Sequence, residues 1–451
     1  MAKAKSVFFC AECGYESAKW LGKCPSCGSW NSFVEEKVQK KGSAPAAVSA
    51  RGHKPMPIKE VKQGEESRLQ LPDAELNRVL GGGLVPGSLV LIGGEPGIGK
   101  STLMLQVALD ANVGKVLYVS GEESESQIAD RARRLGASGE NCYLFGQSDP
   151  EAILAAAKEM KPAFVVIDSV QTLQASWIDS APGTVSQIRD SAALLMRFAK
   201  ESGIPVFLIG HITKEGAIAG PKVLEHMVDT VAIFEGDQQH QFRLLRCTKN
   251  RFGSTFELGI YHMEGSGLKP VANPSSLLLG LRNESLSGTA AAAIVEGIRP
   301  LIIEVQALVS SAVYGTPQRS STGYDVRRLH MLLAVLEKRC GFKLASKDVF
   351  INLAGGLSVK DPSIDLAVVA SVLSSSEDLS LSANTCFAGE VGLSGEIRPV
   401  MRTEQRLSEA AKLGFTRLFI SSHSPTLPEA PAGLEVLRVS RVRDLLAAMF
   451  G

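Results

Sequence analysis

The run Gly94-Glu95-Pro96-Gly97-Ile98-Gly99-Lys100-Ser101 constrains this chain more than any other feature. It satisfies the pattern G-x-x-x-x-G-K-[ST]. It follows the apolar run SLVLIGG and opens the helical pattern KSTLMLQVALDAN. Strand, glycine loop and helix in that order make a phosphate cradle. The glycines let backbone N–H groups turn inward, and the helix N-terminus favours negative charge. The reading assigns Gly94, Glu95, Pro96, Gly97, Ile98, Gly99, Lys100, Ser101 and Thr102 to nucleotide binding. Lys100 reaches the β- and γ-phosphates of ATP, Ser101 holds Mg2+, and Thr102 is a helix residue beside them.

Such a loop belongs at the end of a buried parallel strand, and the surrounding sequence supplies the sheet. From about 66 to 270, KVLYVS, AFVVID and IPVFLIGH are short, almost wholly apolar runs that alternate with helical patterns. TVAIFE, QFRLLRC and FELGIYHM follow with short connections and read as edge hairpins. AFVVID ends at Asp168, the carboxylate expected to meet Mg2+ from a strand end. Many motor ATPases carry a glutamate directly after this aspartate, but Ser169 stands there. The acids appear instead after KVLYVS, at Glu122 and Glu123. That placement resembles the RecA-like ATPases, a class that includes the replicative helicases and KaiC-type proteins. Glu122 matches their water-activating glutamate, with Glu123 as the alternative. His211 ends another strand, where it either senses the γ-phosphate or is structural. Two irregular loops, one with Arg189 and one with Lys214 and Lys222, are surface loops by composition alone, whereas the RecA-like resemblance implies loops that line a ring's channel and hold single-stranded DNA.

The N-terminal 35 residues read as a separate small module. Cys10-Ala-Glu-Cys13 and Cys24-Pro-Ser-Cys27 are two C-x-x-C knuckles, each followed by a glycine. Four thiolates at this spacing can surround one Zn2+ and leave no open position, which makes a structural site. So short a segment buries little core, so the metal would supply its folding energy. Residues 36–65, rich in Lys, Ala, Pro and Ser, read as a flexible linker. The net charge of +1 gives no global basic field, so nucleic-acid binding would have to come from local loops or a ring interior. No signal peptide and no membrane-spanning stretch is legible, and the expectation is a cytoplasmic protein.

Lys249-Asn250-Arg251-Phe252-Gly253 sharpens the reading. KNRFG after a strand of a RecA-like domain resembles the signature of the bacterial RadA (Sms) DNA-repair family. The four-cysteine ribbon, LNRVLGGGLVPGSLVLIGGEPGIGKST, GHITKEG, KNRFG and the C-terminal domain occur in that family's order. The resemblance implies a homo-hexameric ring that binds single-stranded and branched DNA. It implies work alongside the RecA recombinase and branch migration of recombination intermediates. It also assigns Lys249 and Arg251 to ATP hydrolysis and its coupling to DNA. Physically they would act on a neighbour's nucleotide, as an arginine finger does. A nucleotide-switched repair scaffold without translocation is the alternative.

Residues 271–285 read as a connector, and 286–451 as a second α/β domain resembling the proteolytic domain of Lon. Lon chemistry needs a serine activated by a lysine amine. Lys360-Asp361-Pro362-Ser363 resembles the serine segment, but the expected lysine position after GEIRPV holds Glu404. Ser363 then reads as a helix N-cap, and the domain as proteolytically inactive. Arg299, Arg319, Arg327 and Arg328 are its candidates for duplex DNA contact. The expected fold class is thus α/β: a zinc ribbon, a RecA-like P-loop ATPase core and a Lon-protease-like domain.

Overall fold

The computed structural model describes residues 5–10, 14–38, 68–136, 139–211, 223–236, 242–271, 273–279, 286–312, 316–356, 358–424 and 430–450. Cys13, Lys214, Lys222 and most of the expected linker lie outside the described residues. The chain divides into two compact units, Met1–Pro270 and Val271–Gly451.

Within the first unit the ribbon has three antiparallel strands, β1 (Lys5–Cys10), β2 (Glu16–Ser17) and β3 (Phe33–Val38), ordered β2-β1-β3. Its core is small: Cys10, Cys24 and Phe33, with Phe8 and Leu21 against them. A module with so few apolar groups needs a further source of stability.

The ATPase core follows as α1 (Ala74–Val79), β4 (Leu89–Gly94), α2 (Lys100–Leu109), β5 (Val116–Ser120), α3 (Glu125–Leu135), β6 (Cys142–Phe145), α4 (Pro150–Met160) and β7 (Phe164–Asp168). Next come α5 (Val185–Ser202), β8 (Val206–His211), α6 (Val223–Met227), β9 (Thr230–Glu235), β10 (Phe242–Asn250), β11 (Leu258–Glu264) and β12 (Gly267–Pro270). The described strands form one sheet, ordered β12-β11-β10-β9-β4-β8-β7-β5-β6. The six from β9 to β6 run parallel, and β10 to β12 continue the sheet antiparallel.

Side-chain alternation explains why these strands read as continuously apolar. Val90, Ile92, Tyr118, Val166 and Ile209 face a core with Leu103, Met104 and Val107 of α2. Leu89, Leu91, Val119, Ile167 and Leu208 face a second core with Ile153 of α4 and Leu195 and Phe198 of α5. Both faces are covered, so the inner parallel strands are almost wholly apolar on both faces. The helices are also closed locally. Ser124 and Gln127 form a reciprocal capping box on α3, and Asp149 caps α4 ahead of Pro150.

The second unit contains α7 (Pro274–Leu278), β13 (Thr289–Glu296), β14 (Arg299–Ser311), β15 (Arg319–Thr322), α8 (Val326–Val335), β16 (Lys347–Leu353), α9 (Asp365–Glu377) and β17 (Thr385–Ala388). It continues through β18 (Glu390–Val391), β19 (Ile397–Arg398), α10 (Thr403–Lys412), β20 (Arg417–Ser421), β21 (Glu435–Val439) and α11 (Val442–Phe450). The main sheet runs β15-β16-β14-β13-β17-β20-β21 and mixes parallel with antiparallel pairs.

One expectation changes here. Residues 273–279 are part of this unit rather than of a connector. Buried Ser275 on α7 accepts from the Ile302 N–H of β14 and donates to Glu409 of α10. The segment CFAGEVGLSGEIRPV contains both a sheet strand and a small hairpin. Its first residues form β17, an inner strand of the main sheet, and only β18 and β19 pair across the turn near Ser394-Gly395.

Candidate nucleotide site and its companions

The sheet order places the glycine loop where a nucleotide binds in parallel α/β folds, at the carboxyl end of a central strand. β4 delivers Gly94 and α2 begins at Lys100. Gly99 shows why the loop is glycine-rich. Its φ is 115°, and a Cβ there would meet Met263 Cε at 2.8 Å. Ile98 is buried and anchors the loop to the core, while Glu95, Pro96 and Gly97 are exposed.

Lys100 is 3% exposed, and its Nζ donates to the carbonyls of Gly94 and Glu95, each at 2.8 Å. Burial lowers its pKa to about 8, against the opposing pull of Asp168, Glu122 and Glu95. Those three carboxylates act on the ammonium through space, and its direct partners are the two backbone carbonyls. Asp168 ends β7 two strands from β4, is buried, and accepts from the Tyr118 hydroxyl at 2.7 Å through Oδ2. A serine hydroxyl at the helix start and a strand-end carboxylate are hard oxygen donors of the kind Mg2+ takes, so Ser101 and Asp168 fit that ion.

The two glutamates after β5 separate cleanly. Glu122 accepts from Ser169 Oγ at 2.6 Å and lies 3.5 Å from His211 Nε2. It therefore faces Lys100 and the ends of β7 and β8. Glu123 turns away and pairs with Arg131 of α3 at 3.0 Å. The backbone permits this approach because Gly121 lies against Thr172, where a Cβ would come within 2.5 Å of Oγ1. Sequence reasoning passed over Ser169 and Tyr118 as partners of the two acids. A lone aromatic residue in the strand VLYVS was the available signal for Tyr118.

KNRFG lies at the other end of the sheet. β10 is antiparallel to β9, with Leu244 opposite Glu235 and Asn250 opposite Thr230, while Gly94 of β4 sits beside Phe234. Lys249 and Asn250 thus lie one strand length, roughly 15 Å, from the glycine loop of their own chain. A register shift between Cys247 and Lys249 redirects the Lys249 side chain. Its Nζ donates to the carbonyls of Glu225, His226 and Val228, at the C-terminal end of α6. Arg251 stands 3.5 Å from buried Asp229, which also accepts from Lys200 and from the Leu89 N–H. Arg189 pairs with its neighbour Asp190.

In the ribbon, Cys10, Cys24 and Cys27 bring their sulfurs within 4.8 Å of one another. The Cys10 and Cys27 sulfurs are 3.7 Å apart. A tetrahedral zinc with Zn–S bonds of about 2.3 Å requires its sulfurs about 3.8 Å apart, so the cluster fits that ion. Both knuckles turn alike. Gly14 and Gly28 adopt φ of 69° and 76° and return N–H bonds to Cys10 and Cys24.

In the second unit, Glu404 is exposed and does not face Ser363. Arg406, two residues further along α10, donates to Ser363 Oγ at 2.7 Å, to the Ala293 carbonyl at 2.6 Å and to Asp361 at 2.7 Å. The helix period decides this: Arg406 shares the buried face with Thr403, Leu407 and Ala410. Ser363 is not the N-cap of α9 either. It lies in a 3-10 turn capped by Asp361, and α9 starts after Ile364. Arg328 is not free for DNA, because it is paired with buried Asp365 and with Glu390. Arg299 donates to the Val271 carbonyl, Arg319 is half-buried and Arg327 is exposed. Among the described residues no helix is long and apolar enough to cross a membrane.

Comparison with known proteins agrees with this division of the chain. Residues 8–35 match the rubredoxin metal binding domain, 55–217 the AAA domain, and 308–424 the subunit ChlI of Mg-chelatase. The fold is therefore a zinc ribbon, a RecA-like AAA core and a ChlI/Lon-like mixed α/β domain. DNA repair protein RadA of Bacillus subtilis (strain 168) is 50% identical, covering 100% of both chains. The protein of that name from Halalkalibacterium halodurans is 49% identical with the same coverage. That of Listeria monocytogenes is 49% identical over 99% of each chain. Full-length identity of this order, on a chain carrying this ribbon, this nucleotide loop and KNRFG, shows that the protein belongs to the RadA family of DNA repair proteins.

Proposed function

We propose that this RecA-like ATPase is a DNA-dependent motor of recombinational repair. It binds single-stranded and branched DNA and promotes branch migration of recombination intermediates together with the RecA recombinase, in the cytoplasm and as a homo-hexamer. Glu122 orients the attacking water, held in place by Ser169. Lys100 carries the charge of the β- and γ-phosphates. Ser101 and Asp168 would hold Mg2+, which when bound neutralises phosphate charge.

The observation that carries the ring is the distance between KNRFG and its own glycine loop. Lys249 and Arg251 sit at the opposite end of the sheet, so any role in phosphate chemistry places them against a second copy. The names of the relatives, DNA repair protein RadA, support the DNA-linked function. The switched-scaffold reading also has an observation in its favour. Lys249 is already satisfied by three carbonyls of its own chain.

Proteolysis has no support. A guanidinium keeps its proton, so Arg406 cannot deprotonate Ser363 as a lysine amine would.

The deciding measurement is ATP hydrolysis with and without single-stranded DNA, for the wild type, Lys100→Ala and Lys249→Ala. The motor predicts DNA stimulation that Lys100→Ala abolishes with the activity itself, and that Lys249→Ala loses or uncouples. Hydrolysis indifferent to DNA and to Lys249→Ala would favour the scaffold.

A further inference from the structure

We propose that Tyr118 is a positioning residue for Asp168, fixing which carboxylate oxygen is presented to the metal–nucleotide complex. The inference rests on the reading of Asp168 as the Mg2+ ligand of the nucleotide site.

Three observations carry it. First, the register makes the contact specific. Tyr118 of β5 lies opposite Val166 of β7, and Ser120 lies opposite Asp168. Side chains two apart share a sheet face, so the Tyr118 ring lies diagonally beside Asp168, within reach of a long side chain. Second, Tyr118 has no accessible surface and is surrounded by the aliphatic core of that face. A phenylalanine would fill that space without needing a partner. The hydroxyl has one acceptor, Asp168 Oδ2, at 2.7 Å. Third, that bond divides the carboxylate. Oδ2 is held by the core, whereas Asp168 Oδ1 makes no direct hydrogen bond or close ion pair among the described residues and acts on Lys100 only through space. An ungripped carboxylate rotates about its terminal torsion in a broad well. A gripped one offers a single oxygen in a single direction, as second-shell partners of metal-ligating carboxylates do.

The test uses the full-length protein and the variant Tyr118→Phe, which removes one hydroxyl. The readout is equilibrium binding of a fluorescent, non-hydrolysable ATP analogue, titrated with Mg2+ and repeated in EDTA. Tyr118→Phe is expected to raise the Mg2+ concentration for half-maximal tight binding about tenfold, the low end for loss of an outer-shell partner. Binding in EDTA should stay near wild type, which a general packing defect at the site would not allow. Asp168→Asn and the double variant complete a cycle. Asp168→Asn should remove most of the Mg2+ dependence, and Tyr118→Phe should add nothing to it.

An unchanged Mg2+ dependence in Tyr118→Phe, with Asp168→Asn impaired, overturns the role of Tyr118. An unimpaired Asp168→Asn overturns the assignment of Asp168 instead. The double variant removes donor and charge together. It therefore remains measurable if the single change, which strands a buried carboxylate oxygen, destabilises the fold. A further loss from Tyr118→Phe in that background would also overturn the proposal.

Discussion

Two polar clusters in this chain resemble catalytic sites, and they treat their polar atoms in opposite ways. At the nucleotide end of the first unit's sheet, groups are left available. The buried Nδ1 atom of His211 lacks a hydrogen-bond partner among the described residues, the Asp168 carboxylate is bonded through Oδ2 alone, and the Glu122 side chain is 44% exposed. In the second unit the Ser363 cluster is closed. Arg406 uses Nε on Met401, one terminal nitrogen on Ala293 and Ser363, and the other on Asp361. Asp361 also accepts from the Val295 and Ser363 N–H groups. Asp365 nearby takes Tyr324, Arg328 and the Val391 N–H. Buried polar groups in a structural role are satisfied, whereas a reacting site holds groups ready for something not yet bound. The contrast separates the two clusters although each contains a serine, a carboxylate and a cation.

The largest effect expected from this contrast lies at the open site. Glu122→Gln keeps the shape and removes the carboxylate, and should lower kcat by about 10²–10⁴, the usual contribution of a positioned general base. Glu123→Gln breaks a partly exposed pair with Arg131 and should change kcat by no more than a few-fold. Steady-state hydrolysis at saturating ATP checks both. Equal losses in the two variants would remove the distinction that the Ser169 bond makes.

At the closed cluster the effect should be on stability and not on chemistry. Arg406→Ala leaves Asp361, whose side chain is 10% exposed, without its cation, a loss of up to about 3–5 kcal/mol for a broken buried pair. That corresponds to a drop on the order of 10 °C in the second unit's unfolding midpoint. Exposed Glu404→Ala should cost no more than about 0.5 kcal/mol. Calorimetry of the two variants decides between them. Peptidase activity in Arg406→Lys, assayed on an unfolded protein substrate, would contradict the structural role given to this cluster.

How legible each region was follows from the same physics. The glycine loop, the strands flanking it and the two knuckles are local patterns, and each could be read within a dozen residues. Glu122 was placed by analogy with the strand before it, but only its contact with Ser169, 47 residues away in sequence, separates it from Glu123. The Ser363 partner was missed for a reason of helical phase. Counting along the chain reached Glu404, and the buried face of α10 presents Arg406. The loss of Arg328 as a surface cation was equally hidden, since its partner Asp365 lies on another helix. Long-range pairing decides which charges are free, and no window of sequence carries it.

The smallest effect, and the one that tests the open site without mutation, is its response to pH. Burial holds the Lys100 pKa at about 8, below the ordinary lysine value, despite three nearby carboxylates. A bound triphosphate adds negative charge beside the ammonium and raises that pKa again. Nucleotide binding therefore takes up a proton over the range from about 8 to the ordinary lysine value near 10.4. Affinity should be flat below about pH 7.5 and then fall, approaching tenfold per unit above pH 8. The folding term has the opposite sign. In this range the unfolded chain binds more protons than the folded one, so the Lys100 contribution to stability rises with pH while affinity falls. Calorimetric binding of a non-hydrolysable ATP analogue, run in buffers of different ionisation enthalpy from pH 7 to 9.5, measures the uptake directly. Affinity constant to pH 9.5, with no proton taken up, would mean that Lys100 is an ordinary solvated lysine and that the site is less enclosed than its bonds to Gly94 and Glu95 make it.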